Sequence, residues 1–489
     1  MALSQQYQSV FTVDDGNIPD GDQLMPAESL SNIEITDADI VLSIRKMNVN
    51  GSPGPDGIHP RFVKNLLSFL VEQVLHSKML AYFQLAGIIT EKQHGFLCRR
   101  STTTNLFETL NDWTELVDNK SSVDVLYIDL EKAFDSVSHP KLLAKLRRCG
   151  IGGSLFQWIG NFLSCRRQCV RVGCSLSPYM NVISGIPQGT ILGPLLFLLY
   201  INDLPGIPEG KTVSSLFADD SKFYHISNNI SDCLEFANDI IGIQEWLDMW
   251  QLKINLTKCV VLHLGHSNIL FPHRINQFIV EKQFFCRDLG VHVASDFSAF
   301  NHCSIIVRNA MYRLHQFRKT FTGRRIDFKI FLFVTYIRPL VESNTAVWSP
   351  HYIQDIDMVE KVQRKFTKYL TGLRNMSYKE RLQYLHLDTL EVRRIQFDLI
   401  LMYKIIHNIV DIPFNKYFHF NTNSTRGHDY KLVCQYSRLD CRKYFFTNRV
   451  VNYWNDLPAS IVNARSLVSF KKLVRSHDLS GFCKGSAYS

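Results

Sequence analysis

The chain has 489 residues, enough for roughly three domains. Hydrophobic residues make up 46% and charged residues 20% of it, which excludes a largely disordered protein. Charge is unevenly placed: residues 1–300 carry 24 Lys and Arg against 31 Asp and Glu, whereas residues 301–489 carry 30 against 14. The C-terminal part is therefore expected to favour a polyanion, with a solvated basic surface as the alternative.

The twelve cysteines are scattered without a CxxC pair, which favours reduced thiols over a zinc site or disulfides. The N-terminus lacks a basic start followed by an apolar core, so no secretory signal is expected. The most apolar run, ILGPLLFLLYI (191–201), is too short to span a bilayer and contains Pro194. We therefore expect an intracellular protein of the cytoplasm and nucleus, without a membrane-spanning segment.

The first 122 residues predict few regular elements. Residues 1–32 are polar and predict a linker or tail, and SPGPDG (52–57) is a dense turn signal. The Ser/Thr run at 101–104 can cap a helix that follows it. The expected helices span 37–47, 66–89 and 105–118.

Strands and helices alternate from 123 to 297, which predicts one mixed domain. VDVLYIDL (123–130) is a β-rich run that ends on Asp129, and SSLFADDSKFYHI (214–226) reads as a hairpin with Asp219 at its tip. Beyond 297 the pattern is mostly helical. The other expected elements are a helix over 141–150, a hairpin made of QCVRVG and MNVISG, a helix starting at 191, a helix over 231–250 and the strand CVVLHLG.

Two neighbouring carboxylates, Asp219 and Asp220, lie within an apolar stretch where charge is costly. A sheet that places this hairpin beside the strand ending on Asp129 would bring the acidic residues together, and a divalent cation would neutralise them. Successive strand residues face opposite sides, so we expect Asp129 and Asp219 as the principal ligands and Asp220 as an auxiliary one. Two Mg²⁺ ions suit such an all-oxygen site, with Mn²⁺ as the alternative, and phosphoryl transfer is the reaction they serve.

Five motifs in order resemble the palm of reverse transcriptases. The motifs GIPQGTILGPLL and FADD are similar to those of the non-LTR retrotransposon branch, in particular of jockey-like elements. The resemblance implies an α+β, right-hand polymerase fold, with a ferredoxin-like palm sheet that carries the acidic site and a mainly helical thumb and tail. The motifs are YIDLEKAFDSVSH (127–139), SGIPQGTILGPLLF (184–197), LFADD (216–220), LKINLTK (252–258) and DLGV (288–291).

The resemblance also implies a division of the chain and a set of partners. The expected partners are an RNA template, a DNA primer and dNTPs, and the expected activity is that of an RNA-directed DNA polymerase that extends a DNA 3′-hydroxyl. The expected regions are 1–51 (N-terminal linker and helix), 52–122 (incomplete fingers), 123–297 (catalytic palm), 298–380 (thumb) and 381–489 (basic C-terminal region).

Carried over by position, the resemblance makes Asp129, Asp219 and Asp220 metal-binding and catalytic residues. Lys258 matches the motif that neutralises or protonates the leaving pyrophosphate, with an exposed helix-end lysine as the alternative. Phe134 matches the steric gate that excludes a ribose 2′-hydroxyl, with a plain core aromatic as the alternative.

The remaining matched positions concern substrate and nucleic acid. Gln188 and Gly189 match the lining of the template and nucleotide pocket, and Leu289 and Gly290 match the hairpin that grips the primer end. A basic cluster next to Phe317 and Phe321 is expected to contact nucleic acid, although helix packing explains the aromatic residues equally well. This basic cluster consists of Arg318, Lys319, Arg324 and Arg325.

One departure from the family pattern lies in the fingers. Residues 52–66 and 71–84 resemble segments that the family separates by a block with basic side chains that hold the incoming triphosphate, and this block is absent here. Loss of these cations weakens the fixation of the phosphates. We therefore expect impaired nucleotide incorporation. A catalytically inactive nucleic-acid-binding remnant is the main alternative, and an unrelated metal-dependent phosphoesterase is a distant one.

Overall fold

The structure is a computed structural model. The expected helix over 37–47, apart from Asp39, the turn at 52–57 and Arg324 lie outside the part of the chain that it describes. Among the described residues, no helix is both long and apolar enough to cross a membrane. The described residues are 6, 8–19, 26, 29–34, 36, 39, 67–323, 325–421 and 427–486.

The elements up to residue 297 alternate between helix and strand, as expected. The helices are α1 (Leu67–Leu85), α2 (Thr102–Asp118), α3 (Ala133–Ser136), α4 (His139–Arg148), α5 (Gly153–Leu163), α6 (Leu192–Tyr200) and α7 (Ile230–Met249). The strands are β1 (Val123–Ile128), β2 (Arg167–Gln168), β3 (Arg171–Val172), β4 (Ser175–Leu176), β5 (Met180–Asn181), β6 (Val213–Phe217), β7 (Asp220–Ile226), β8 (Val260–Leu264), β9 (Arg274–Ile275), β10 (Phe278–Ile279), β11 (Glu281–Gln283), β12 (Phe285–Asp288) and β13 (Val291–Ala294).

The described residues beyond 297 are mainly helical. A π-helical turn, Phe333–Ile337, follows the second of these helices. The α-helices are α8 (Phe300–Thr320), α9 (Ile326–Leu332), α10 (Thr345–Trp348), α11 (Ile353–Tyr369), α12 (Tyr378–Leu385), α13 (Leu390–Ile406), α14 (Phe414–Tyr417), α15 (Asp440–Lys443), α16 (Phe446–Asn455), α17 (Ala459–Val462) and α18 (Leu467–Ser476).

A five-stranded mixed sheet in the order β11–β8–β1–β7–β6 forms the centre of the fold. The central strand β1 pairs antiparallel with both β7 and β8, whereas β11 is parallel to β8. β1 reads VDVLYI and is mostly buried, which agrees with its β-branched and aromatic residues. The expected α+β fold class is confirmed.

Several local predictions hold with small shifts of boundary. Ser101 caps α2 by accepting a hydrogen bond from the backbone N–H of Thr104, and the Thr104 side chain caps in return, so the Ser/Thr run does start the helix. The helix expected over 66–89 ends at Leu85. The hairpin expected from QCVRVG and MNVISG is present as the β2–β5 pair, with the smaller β3–β4 pair inside it.

Two apolar cores lie against the sheet. One contains the buried face of α1 together with α4, α6 and α7. The other begins at Leu106 in α2, includes buried residues of β1, β7 and β8, and continues through the C-terminal helices to Leu479. Because the second core is continuous, the C-terminal helices are packed against the domain that carries the acidic residues.

Candidate active site

The acidic hairpin between β6 and β7 is hydrogen-bonded to the segment QHG (93–95). Gln93 is buried, and its Oε1 accepts hydrogen bonds from the backbone N–H groups of Ala218 (2.8 Å) and Gly95 (2.7 Å). Ala218 has φ +55°, a conformation that a non-glycine residue adopts only when its surroundings hold it. A Cβ on Gly95 would lie 2.5 Å from the Ala218 nitrogen, so this close approach requires glycine.

Asp129 follows the last residue of β1 and is held there by the motif LKINLTK. Its carbonyl oxygen accepts from the Asn255 N–H at 2.8 Å, and Lys258 Nζ lies 3.3 Å from Asp129 Oδ2. Ile128 pairs with Ser221 across the sheet, so Asp129 ends its strand where Asp220 begins β7. The topology therefore brings the three aspartates to one edge of the sheet.

The acidic edge carries net negative charge, because Lys258 pairs with Asp129 while Asp219 and Asp220 have no ion-pair partner among the described residues. Burial, together with the charge of Asp129, raises the pKa of Asp219. Burial and the neighbouring carboxylates of Asp219, Asp288 and Asp129 raise the pKa of Asp220 to about 6. Asp129 Oδ2 is buried and, apart from the Lys258 ammonium 3.3 Å away, has no polar partner among the described residues. A cation at this edge would relieve the repulsion.

The donors at the acidic edge are carboxylate oxygens, a ligand type that Mg²⁺ takes. Among the described residues, no three His, Cys, Asp or Glu side chains converge as a metal site made only of protein ligands requires. Mg²⁺ is commonly bound through one or two carboxylates, with water and substrate phosphates as the remaining ligands. The aspartates Asp129, Asp219 and Asp220 can supply these carboxylates.

A cleft of about 600 Å³ opens beside the aspartates. Asp129, Asp220 and Lys258 line one side, and the β12–β13 turn with Leu289 and Gly290 lines the other. Asp219 is half-buried and does not line this cleft, so the expected order of importance of Asp219 and Asp220 is not evident from the cleft itself. The cleft joins the acidic edge to the hairpin expected at the primer end.

The β12–β13 turn has the backbone of a tight reversal. Leu289 has φ +45° and Gly290 has φ +87°, and no atom lies within 4 Å of a Cβ built on Gly290. Leu289 is half-buried, and its carbonyl oxygen accepts from Asn344 Nδ2 at 3.5 Å. The turn therefore presents an open backbone surface to the cleft.

The GIPQG loop is fixed to the segment that follows Asp129. Gln188 Nε2 donates to Asp135 Oδ1 at 2.8 Å, and Gly185 has φ +86° with the Asp135 carbonyl oxygen 2.7 Å from any added Cβ. Gln188 and Gly189 are both exposed, and nothing lies within 4 Å of a Cβ built on Gly189. A ligand can approach the backbone of this loop closely.

Phe134 occupies a position between core and surface. Its ring stacks on Phe197 with centroids 4.2 Å apart, and the edge of Phe96 lies 6.4 Å away. The ring is half-buried, so one part packs in the core and another part is accessible. Both readings of Phe134, gate and core aromatic, are compatible with this placement.

The described members of the basic cluster lie at the end of α8 and the start of α9. Arg318, Lys319 and Arg325 are exposed, and the Arg318 guanidinium lies 4.5 Å from the Tyr369 ring centroid. Phe317 is buried in the core, whereas Phe321 is partly exposed. These three basic residues do not line the acidic cleft, so any contact with nucleic acid lies on a separate surface.

Residues 64–293 match the family described as reverse transcriptase (RNA-dependent DNA polymerase). The match includes Asp129, Asp219, Asp220 and Lys258 and excludes the basic cluster. Residues 64–293 are therefore similar to a reverse transcriptase domain. Its expected likeness to jockey-like, non-LTR elements is confirmed by the relatives described next.

Relatives of the reverse transcriptase domain occur in insect mobile elements. The probable RNA-directed DNA polymerase from transposon X-element of Drosophila melanogaster is 24% identical over 334 residues, which cover 65% of this chain and 36% of that protein. The RNA-directed DNA polymerase from mobile element jockey of Drosophila funebris is 28% identical over 227 residues, which cover 45% of this chain and 24% of that protein. The chain thus spans about a quarter to a third of the length of these relatives.

Among solved structures, telomerase from Candida albicans is similar with a TM-score of 0.39 and 11% identity. The match covers 68% of this chain and 58% of the telomerase chain.

Sequence reasoning missed several polar residues of the reverse transcriptase domain. Gln93 was not singled out, although its position before His94 and Gly95 in an apolar surround could have suggested a backbone contact. Lys222 and Asp288 form a buried ion pair that no local sequence pattern predicts. His94 is buried, and its Nε2 lies 3.5 Å from Glu108 Oε2, a contact that the sequence did not indicate.

Proposed function

We propose that the chain is an RNA-directed DNA polymerase of a non-LTR retrotransposon, which extends a DNA 3′-hydroxyl on an RNA template with dNTPs. One observation carries the proposal: three aspartates with net negative charge meet beside a cleft that also contains Lys258. RNA and a DNA end meet in the nucleus, so we place the reaction there, after synthesis of the protein in the cytoplasm.

We assign the cation-binding role to Asp129 and Asp219, with Asp220 beside them. Two Mg²⁺ ions bound there would lower the pKa of the primer hydroxyl and neutralise charge on the leaving group. The raised pKa values of Asp219 and Asp220 support this assignment, because a bound cation would favour their charged forms.

The reaction is a displacement at the α-phosphorus. The primer 3′-oxygen forms a bond to that phosphorus as the bond from phosphorus to the oxygen bridging the β-phosphate breaks. The electron pair of the broken bond leaves with pyrophosphate, and the hydroxyl proton passes to solvent. We assign to Lys258, whose ammonium lies 3.3 Å from Asp129, the neutralisation of the leaving pyrophosphate.

We assign substrate selection to Phe134, Gln188 and Gly189, and the primer end to Leu289 and Gly290. The accessible part of the Phe134 ring, the exposed GIPQG loop and the open backbone of the β12–β13 turn support these roles. The exposed Arg318, Lys319 and Arg325 are proposed to contact nucleic-acid phosphates outside the cleft.

Primer extension by the purified chain, on a DNA-primed RNA template with dNTPs and Mg²⁺, tests the proposal. We expect template-dependent extension by the wild type, and a loss of about 10²–10³-fold or more in Asp219→Asn. Glu245→Gln removes an exposed carboxylate from α7 and serves as the control with unchanged extension. Equal extension by wild type and Asp219→Asn would contradict the assignment. Salt-dependent binding of the template duplex without extension would instead identify an inactive binding remnant.

A further inference from the structure

A second cleft, of about 420 Å³, lies on the other side of Lys258 from the acidic cleft. One wall is formed by the residues that follow Asp129 and by the motif LKINLTK, and the opposite wall by the N-terminal segment. The cleft is lined by Ser9, Val10, Phe11, Thr12, Leu130, Glu131, Lys132, Ser136, Lys253, Asn255 and Lys258. Its size is within the roughly 300–1,000 Å³ that is usual for small-ligand sites.

The N-terminal wall is attached to the rest of the protein by hydrogen bonds. The Thr12 N–H donates to Ser184 Oγ at 2.8 Å, and Gln251 Nε2 donates to the Val13 carbonyl oxygen at 3.1 Å. Two residues further along, Asp15 pairs with buried Lys141 at 3.1 Å. These contacts keep residues 9–12 opposite Lys253 and Lys258 and so define the cleft.

The charge of this cleft is positive. Lys132 and Lys253 contribute two ammonium groups against the single carboxylate of Glu131, and Lys258 adds a third that also pairs with Asp129. Lys132 and Lys253 are exposed, and neither has an ion-pair partner among the described residues. Their charges are therefore available to an anion that enters the cleft.

Lys258 lines both clefts. A phosphate chain whose first phosphorus lies at the aspartates could thus extend past Lys258 towards Lys132 and Lys253. The absence of the basic fingers block from the sequence leaves the distal phosphates without their usual cations. Lys132 and Lys253 are two cations near the acidic edge that have no ion-pair partner among the described residues, and Arg287, which lines the acidic cleft, is a third.

We propose that the cleft lined by Lys132 and Lys253 binds the diphosphate group of the polymerase reaction. This proposal rests on the function proposed above. The ligand has two sources: the β- and γ-phosphates of the bound dNTP, and the pyrophosphate released when the α-phosphorus is transferred. Lys132 and Lys253 would stand in for the absent fingers cations, because ammonium groups bind phosphate oxygens by charge-assisted hydrogen bonds. A single nucleic-acid phosphodiester, with one negative charge, would neutralise Lys132 and Lys253 less completely than a diphosphate.

The first measurement is a calorimetric titration of the purified full chain with inorganic pyrophosphate. Mg²⁺, template and dNTP are left out. We expect the double variant Lys132→Gln/Lys253→Gln to bind pyrophosphate at least about tenfold more weakly than the wild type. Lys132→Arg/Lys253→Arg keeps both charges and should retain binding. Lys211→Gln, at an exposed turn away from both clefts, is the matched control. Thermal unfolding, monitored by circular dichroism, establishes that each variant is folded.

The second measurement separates the two sources of diphosphate. In primer extension, a role for the dNTP phosphates predicts a KM for dNTP raised about tenfold or more in the glutamine variant, whereas a role confined to the product predicts unchanged KM and weaker inhibition by pyrophosphate. Equal pyrophosphate binding by the wild type and the glutamine variant would overturn the proposal even in an active polymerase. Lysine-dependent binding by a chain that does not extend primers would support the site while the proposed function failed.

Discussion

Lys222 Nζ lies 2.7 Å from Asp288 Oδ2, and both side chains are at most 5% exposed. Lys222 is two residues after Asp220 on β7, and Asp288 immediately precedes the Leu289–Gly290 turn. The Tyr127 hydroxyl lies 3.3 Å from the same Asp288 oxygen. This ion pair therefore connects the acidic hairpin to the turn on the opposite side of the cleft.

Asp288→Asn should impair both stability and primer placement. The substitution leaves the Lys222 ammonium buried without a charge partner, which costs about 3–5 kcal/mol of the free energy of unfolding. Because Asp288 holds the start of the β12–β13 turn, the KM for primer–template should also rise. Urea unfolding and steady-state primer extension measure the two effects.

A second buried ion pair provides the control. Arg449 and Asp398 lie 2.8 Å apart in the C-terminal region and are similarly buried. Asp398→Asn should lower stability without a change in the KM for primer–template. If both variants raise this KM equally, the Lys222–Asp288 pair has only a structural role.

Phe134→Val should relax the discrimination against rNTPs. A smaller side chain removes the accessible part of the ring, and we expect the preference for dNTPs to fall by about tenfold or more, or about 1.4 kcal/mol. Single-nucleotide incorporation kinetics with dNTP and rNTP provide the measurement. Phe197→Leu removes the stacked partner of Phe134 and is the control. A loss of stability in both variants with unchanged discrimination would leave Phe134 as a core aromatic.

Asp124→Asn should destabilise the sheet in a pH-dependent way. Asp124 is buried and bonded to His263 Nδ1 at 2.6 Å and His273 Nε2 at 2.7 Å. Burial alone would raise the pKa of Asp124, but the hydrogen bonds from both histidines and from Asn268 hold it well below its usual range.

A carboxyl whose pKa is lowered by folding stabilises the protein above its unfolded pKa, and this contribution is lost as the pH falls. The difference in unfolding free energy between wild type and Asp124→Asn should be about 3–5 kcal/mol at pH 7. It should shrink below about pH 4, where the unfolded carboxyl takes up a proton. A difference that stays constant between pH 7 and pH 3 would contradict this explanation.

Arg318→Gln and Lys319→Gln should each reduce the salt dependence of nucleic-acid binding. A phosphate contact contributes about 0.9 to the slope of log K against log salt concentration for duplex DNA. Binding titrations at several salt concentrations measure this slope. Arg442 is buried and donates to Asn111 Oδ1 at 2.7 Å, so Arg442→Gln should leave the slope unchanged. Unchanged slopes in the Arg318 and Lys319 variants would place the nucleic acid elsewhere.

The acidic edge could be predicted from the sequence because its residues occur at the ends of short strands. Asp129 ends β1, and Asp219 lies between the two strands of one hairpin. The Lys222–Asp288 pair could not be predicted in this way, since its partners are 66 residues apart. The hydrogen bonds of Asp124 to His263 and His273 join residues 139 and 149 apart. Such contacts depend on which strands become neighbours, and no local pattern contains that information.

The excess of positive charge in the C-terminal part does not give the number of cations that a polyanion can reach. Several arginines that contribute to its excess are used inside the protein: Arg393 pairs with Glu342, Arg442 with Glu115 and Arg449 with Asp398. A count of charges cannot distinguish these ion-paired groups from exposed ones such as Arg318 and Lys319. The number of cations available to a polyanion is therefore smaller than the sequence suggests.

The continuous core between α2 and the C-terminal helices limits how this chain can be shortened. The Phe107 ring of α2 lies 5.0 Å from Tyr417 and 5.5 Å from Phe446, and Arg438 donates to the Asp118 carbonyl oxygen. Removal of residues after 380 would expose these apolar rings to water and invite aggregation. A minimal catalytic fragment must for this reason retain the chain as far as Leu479, where the core ends.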